Sequence, residues 1–450
     1  MTLGIYAVAV VCALAMGNYL GHGTLGRALL LGAGVPFIFV CLVVPLSKLL
    51  VVVLVVLPFP LVSNGLGGQP LHFVLIPGLL LLSLMQRLRL RFPSNVLLIP
   101  LGMFTLGGVV STFNGHEPIG QLPGLVSLLF GLLFMLLTAS VTMQVPVRLL
   151  AIAAVGLSGV VMSLVGVLQV FIPTLPLPGL LGSPNATETL GSLGTASRLV
   201  GPMGDYELFA EFLAIICFIQ IWEIFNSRRF SRRLAWTVAA GLSLSAILAT
   251  GTRSAIIQLS LELLVYASFR RRRLHTAVKL LVVVGGALLI VFPLIQPLST
   301  GARLADRFSL IGTQGTGWDG LINRSTIWRS FLAATDAYSP RLFGVGPKYD
   351  YEGVGFFPHS LFLYLVVTLG VVATIAFALF LLILAMQLIQ TWRRRRDESA
   401  LMLAAVLVGF IANEIKIEFF RLVHYQAFVW ALLGLSLAAL DRGARRQVVQ

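Results

Sequence analysis

Long apolar runs with few charges recur along almost the whole chain, near residues 3–20, 28–46, 49–63, 71–86, 95–113, 122–142, 149–172, 206–224, 234–250, 255–269, 276–296, 358–388, 400–417 and 422–440. A hydrocarbon layer about 30 Å thick takes roughly 20 apolar residues to cross as helix. Inside it every backbone N–H and C=O must be satisfied within the segment, which leaves the helix as the form such runs take. The pattern therefore predicts an all-α polytopic membrane protein with 12 to 14 transmembrane helices. The range reflects the first four runs, because only Pro45 and Lys48 divide 28–63. Composition excludes a soluble domain: 58% of the 450 residues are hydrophobic and 11% are charged, against about 25% charged in soluble proteins.

A net charge of +15 raises nucleic acid as a partner, so the placement of the basic residues matters. They fall in short clusters between apolar runs: Arg87, Arg89 and Arg91; Arg148; Arg228, Arg229, Arg232 and Arg233; Arg270 to Arg273; Arg393 to Arg396; Arg442, Arg445 and Arg446. With Lys48 and Lys279 these hold 21 of the 32 Lys and Arg, in every second connection. That is the positive-inside pattern, which puts both termini in the cytoplasm and argues against a nucleic-acid groove. Cys12, Cys41 and Cys217 each lie inside an apolar run, so no disulfide framework or zinc spacing is available. The run at 3–20 lacks a preceding basic region and is expected to be a retained helix rather than a cleaved signal.

The organisation expected is a block of transmembrane helices over 1–296 with a smaller outer loop at 173–205, a large outer loop at 297–357, and the last three transmembrane helices with a cytoplasmic tail over 358–450. Long loops in compact proteins usually carry function. Within the larger one, Asn323 to Tyr338 has helical spacing, with Ile327, Phe331 and Ala334 on one stripe and Arg324 near Trp328. No internal repeat and no matched pair of broken helices, the mark of an inverted-repeat transporter, is visible.

Charge at membrane depth is expensive, so charged residues outside the inner clusters are candidates for function. Four basic ones matter most: Arg198 in S-R-L-V-G-P-M-G, Arg253 in T-G-T-R-S, Arg324 in N-R-S-T-I-W and Lys348 in G-V-G-P-K-Y-D. Arg198 and Arg253 border the outer ends of spans and have no acidic neighbour within four positions. Each needs a counter-charge from elsewhere, and the planar guanidinium fork suits a phosphate or diphosphate; the rival reading is an interfacial anchor on lipid headgroups. His359, in P-H-S-L-F-L-Y-L-V-V-T-L-G, is expected at the outer boundary by a helix start, where a neutral imidazole can accept a hydroxyl proton; a structural histidine is the rival. The other five histidines have no comparable context. Glu207 and Glu211 share a helical face. Asp350 and Glu352 form a D-x-E that could hold a cation but reads as solvated loop. Glu262, Glu414, Lys416 and Glu418 are expected to form internal pairs. No nucleotide-binding, zinc-protease or hydrolase-elbow motif is present.

Taken together, the arginine before G-P-M-G, T-G-T-R-S, R-x-x-x-W followed by L-F-G-V-G, and H-S-L-F-L-Y-L-V-V-T-L-G resemble the O-antigen ligase and polymerase superfamily. The motifs cover about residues 195 to 375, and the order of spans follows the same topology. The resemblance implies a GT-C-like glycosyltransferase of the bacterial inner membrane with a periplasmic active site. It implies an undecaprenyl-diphosphate-linked glycan as donor and lipid A core oligosaccharide as acceptor, with no metal or cofactor and no oligomer required. By position, it assigns Arg198 and Arg253 to the donor diphosphate and His359 to the general base. Arg324 and Trp328 match a donor-facing or structural pattern, and Lys348 and Tyr349 lie where donor or acceptor contacts are expected. Many members carry Asn after the histidine where this chain has Ser360, which bears on subfamily: ligase, polymerase and protein O-oligosaccharyltransferase remain open. A lipid-linked sugar flippase is the reading from another class.

Overall fold

The computed structural model describes residues 44–59, 62–63, 69–70, scattered positions from 76 to 90, and then 93–114, 118–171, 199, 201–270, 325–333, 342–347 and 358–441. The expected spans at 3–20 and 276–296, most of 28–46, and both termini lie outside these residues. The helices are α1 (Leu46–Val56), α2 (Asn95–Asn114), α3 (Pro118–Val141), α4 (Val145–Phe171), α5 (Tyr206–Asn226), α6 (Phe230–Thr250) and α7 (Arg253–Phe269), followed by α8 (Leu361–Thr368), α9 (Val371–Arg395), α10 (Glu398–Glu414) and α11 (Val423–Ala439). Residues 325–333 are also helical. Val62–Ser63 and Gln69–Pro70 form a two-residue antiparallel pair, β1 and β2, too short to alter the helical class. Among the described residues, six helices, α2 to α6 and α9, are long and apolar enough to cross a membrane. The chain is an all-helical, multi-pass membrane protein.

α5 is the axis of the bundle. It packs against α4, α6, α7 and α10, and 89% of its apolar window is buried. Lipid provides no hydrophobic drive for helices to associate, so close approach and interhelical polar contacts hold them. Both are present around α5. A Cβ on Gly159 of α4 would lie 1.9 Å from the Ile216 side chain, so glycine alone lets α4 sit this close. Gln220 donates to the Gly156 carbonyl at 3.0 Å and accepts from Ser243 of α6 at 2.9 Å. Ser243 in turn lies 2.9 Å from Ser163 of α4.

The arginine clusters of the described residues gather at one end of this bundle. Arg148, 2% exposed, reaches Asp397 at 2.6 Å, Ser399 at 3.1 Å and the Ala438 carbonyl at 3.2 Å, so one guanidinium joins α4, α10 and the end of α11. Arg270, capping α7, donates to Glu398 at 3.0 Å through Nε, and this bond holds its guanidinium above the ordinary arginine range.

One expectation is corrected here. The run 358–388 reads as a single span, yet the helix stops at Thr368 and restarts at Val371. The break is built by Gly370, which adopts φ 93° and donates to Leu365 O at 3.0 Å in a Schellman-type ending. The helix end then meets the L-F-G-V-G stretch, residues 342–346. Val345 and Gly346 donate to the carbonyls of Val367 and Thr368 at 2.9 and 3.0 Å, satisfying groups that a helix end leaves without partners. A Cβ on Gly344 would stand 2.0 Å from the Thr368 carbonyl oxygen, backbone that cannot swing aside. Gly344→Ala is therefore expected to lower stability by at least about 2 kcal/mol, in the range of overpacked buried sites. Thermal unfolding in detergent checks this, and an unshifted midpoint would contradict the docking described.

Candidate functional site

The end of the bundle away from the arginine clusters collects the starts of α5, α7 and α8 and the connection from α10 to α11. Each part is fixed locally. Gly201 and Gly204 take left-handed φ of 63° and 72° in the G-P-M-G turn, and a Cβ on Gly201 would press into the Phe209 ring at 2.4 Å. Leu199 N donates to Ala249 O at 3.3 Å, tying this turn to the end of α6. Asp205 caps α5 by accepting from the N–H groups of Glu207 and Leu208 at 2.8 and 3.0 Å. The cap and the positive end of the helix dipole favour an acid in this first turn, where Glu207 sits.

In T-G-T-R-S, Gly251 ends α6 in the left-handed conformation at φ 66°, and Arg253 opens α7 with its side chain exposed. Thr252 precedes α7 without capping it, and its own hydroxyl oxygen is buried without a hydrogen-bond partner among the described residues. A helix start next to a guanidinium suits an anion.

His359 adopts φ 49°, one of two non-glycine residues in the left-handed region among those described. Such a conformation costs of order 1–3 kcal/mol and persists where surrounding contacts over-determine it. Those contacts are visible: Leu361 N donates to Ile417 O at 3.0 Å, and the Tyr364 ring stacks on Phe420 with centroids 5.7 Å apart. The start of α8 is thereby clamped to the α10–α11 connection. His359 Nδ1 lies 3.3 Å from Glu207 Oε2, and Lys416 Nζ lies 3.3 Å from Glu207 Oε1. Lys416 also donates to Ser254 Oγ at 2.9 Å. A continuous run of contacts thus connects the residue after Arg253 to His359 through Lys416 and Glu207.

Of the residues singled out by sequence, His359 and Arg253 come together at this end. Arg198, Arg324, Lys348, Tyr349, Asp350 and Glu352 lie outside the described residues. Trp328 is half-buried in the helical segment 325–333, its indole N–H without an acceptor among the described residues, and Phe331 on the expected stripe is fully buried. Lys416 forms the internal pair expected of it, with Glu207, and that pair lies in the site. Glu211, Glu262, Glu414 and Glu418 are all fully buried. Glu262 accepts from Gln258 at 3.0 Å rather than from a cation, and Glu414 accepts from Phe419 N at 3.2 Å. The described residues contain no group of three His, Cys, Asp or Glu side chains arranged for a metal ion. The signal for Lys416 was present in the sequence as a lone cation inside an apolar run, but its partner is some 200 positions away.

No curated protein matches the sequence. Residues 238–378 match the family model described as O-antigen ligase. The matched stretch contains T-G-T-R-S, the L-F-G-V-G segment that caps α8, and the strained His359, the parts that the fold brings to one end of the bundle. Over this stretch the chain is similar to the O-antigen ligase family.

Proposed function

We propose that the protein ligates an O-antigen glycan, carried on undecaprenyl diphosphate, onto lipid A core oligosaccharide at the periplasmic face of the bacterial inner membrane. The observation that carries this reading is the meeting of His359, held at φ 49°, with the cationic start of α7 through Glu207 and Lys416. The periplasmic placement rests on the positive-inside rule, with the arginine clusters at the other end.

A glycosyl diphosphate is already activated, so no nucleotide is needed at the site. The acceptor oxygen attacks the anomeric carbon, the bond from that carbon to the diphosphate oxygen breaks, and the leaving group departs as undecaprenyl diphosphate. The acceptor hydroxyl proton passes to His359 Nε2 as the new bond forms, and direct displacement inverts the anomeric centre. Negative charge grows on the leaving diphosphate, and fixed cations with helix N–H groups stabilise it in place of a metal ion. Arg253 and the first turn of α7 fill that role. Arg198 joins them in this proposal, since it precedes Leu199, which is bonded to the end of α6. Arg324, Trp328, Lys348 and Tyr349 are assigned to donor or acceptor contacts on the resemblance.

A charge-assisted hydrogen bond to phosphate contributes about 1.5–3 kcal/mol. Arg253→Ala is accordingly expected to reduce kcat/KM for donor by roughly 10- to 100-fold, with Arg253→Lys recovering part of the loss. Transfer at the wild-type rate in Arg253→Ala would remove the diphosphate assignment. The assay uses purified protein with undecaprenyl-diphosphate glycan and rough lipopolysaccharide in EDTA. Product on the lipopolysaccharide supports the ligase. Longer donor glycan instead indicates a polymerase, and donor moved between leaflets without product indicates a flippase.

A further inference from the structure

The geometry points to Glu207 as a positioning residue for His359: its carboxylate, itself paired with Lys416, stands at ion-pair distance, 3.3 Å, from Nδ1 of the imidazole, favours the ring proton there and so leaves Nε2 as the nitrogen that takes the acceptor proton. This rests on the reading of His359 as the base.

A neutral imidazole carries its proton on one nitrogen, and the group facing that nitrogen decides which. Here the group facing Nδ1 is Glu207 Oε2 at 3.3 Å. A carboxylate accepts and does not donate, so Nδ1 keeps the proton and Nε2 keeps the lone pair. For this to fix the ring, the carboxylate must be rigid and ionised. Its rigidity comes from the cap on α5, from the enclosure of that helix, and from the shielding of the Glu207 side chain, which is 9% exposed. Its charge is matched by Lys416 at 3.3 Å on the other oxygen, and Lys416 is held by Ser254 beside Arg253. Four elements, α5, α7, the start of α8 and the α10–α11 connection, therefore set one ring orientation. His359 meets Glu207 from a left-handed backbone, at φ 49°.

The arrangement also ties the base to the subsite for the leaving group. Ser254 follows Arg253 in the first turn of α7, so a diphosphate bound there lies one lysine and one carboxylate from the imidazole. A donor held at α7 and an acceptor deprotonated by His359 then share a common frame, which is what a displacement with reactants about 3 Å apart requires.

The test follows Glu207→Gln, Glu207→Asp and His359→Ala in the assay above, with 15N NMR of histidine-labelled wild type in detergent. The His359 signal is identified by its loss in His359→Ala. Wild type is expected to show His359 protonated on Nδ1. Glu207→Gln is expected to lower kcat at least tenfold with KM for donor within about twofold, and to move His359 toward mixed tautomers. Glu207→Asp is expected to recover part of kcat. A merely structural glutamate would lower stability without moving the tautomer. Wild-type His359 protonated on Nε2 overturns the inference and needs no variant that must fold. So does Glu207→Gln at the wild-type rate while His359→Ala is inactive, a result that leaves the base intact. Transfer retained in His359→Ala instead removes the base itself.

Discussion

His359→Ala should abolish measurable transfer while leaving the protein folded and able to bind donor. General-base catalysis by a positioned side chain contributes typically 10²- to 10⁴-fold, and alanine removes the imidazole that takes the acceptor proton. The side chain is 30% exposed and lies at a helix start rather than inside a packed layer. Its loss opens no interior cavity, and alanine keeps the Cβ and so the same left-handed backbone, which leaves the part-exposed contact with Glu207 as the main loss. Stability in detergent should therefore change by less than about 1 kcal/mol. Donor binding, read by protection against thermal unfolding with undecaprenyl diphosphate, should match wild type. Retained turnover would remove His359 from the chemistry; lost donor binding would move it from base to binding residue.

Arg148→Ala is expected to give the largest loss of stability. The guanidinium is 2% exposed and makes three bonds, to Asp397, Ser399 and the Ala438 carbonyl, across helices that are far apart in sequence. Removing one member of a buried ion pair costs about 3–5 kcal/mol because the other is left uncompensated. Asp397 is 22% exposed and also accepts from Ser399 N and Oγ, so the lower end of that range applies, about 3 kcal/mol. Thermal unfolding of Arg148→Ala in detergent should show a clear drop, and Arg148→Ala with Asp397→Asn should recover part of it by removing the orphaned charge. Equal midpoints for wild type and Arg148→Ala would mean that the α4–α10–α11 junction is held by apolar packing alone. Because this end is remote from His359, the variant should keep its turnover at temperatures where it stays folded.

The transmembrane helical class was legible because it depends on run length and polarity, which are local. Most boundaries followed: 95–113, 206–224, 255–269 and 422–440 fall within a few residues of α2, α5, α7 and α11. The run 358–388 misled because its hydrophobicity continues through the break at Leu369 and Gly370. Gly370, inside the run, marks the break, and the backbone contacts from residues 342–346 that dock on the end of α8 are what hydropathy does not record.

Residue chemistry and position along each span were enough to single out Arg253 and His359, since a cation or imidazole at the edge of an apolar run stands out against its neighbours. They were not enough to link the two. Glu207, Lys416 and His359 come from three separate stretches of chain, and helical spacing relates only residues three or four apart. It took the packing of α5 against its neighbours, and the clamp of α8 on the α10–α11 connection, to bring one carboxylate between an ammonium and an imidazole. Hydropathy is a sum over neighbours in sequence and decides which segments enter the membrane; a proton-transfer geometry is a set of distances between segments, and only the folded bundle sets those.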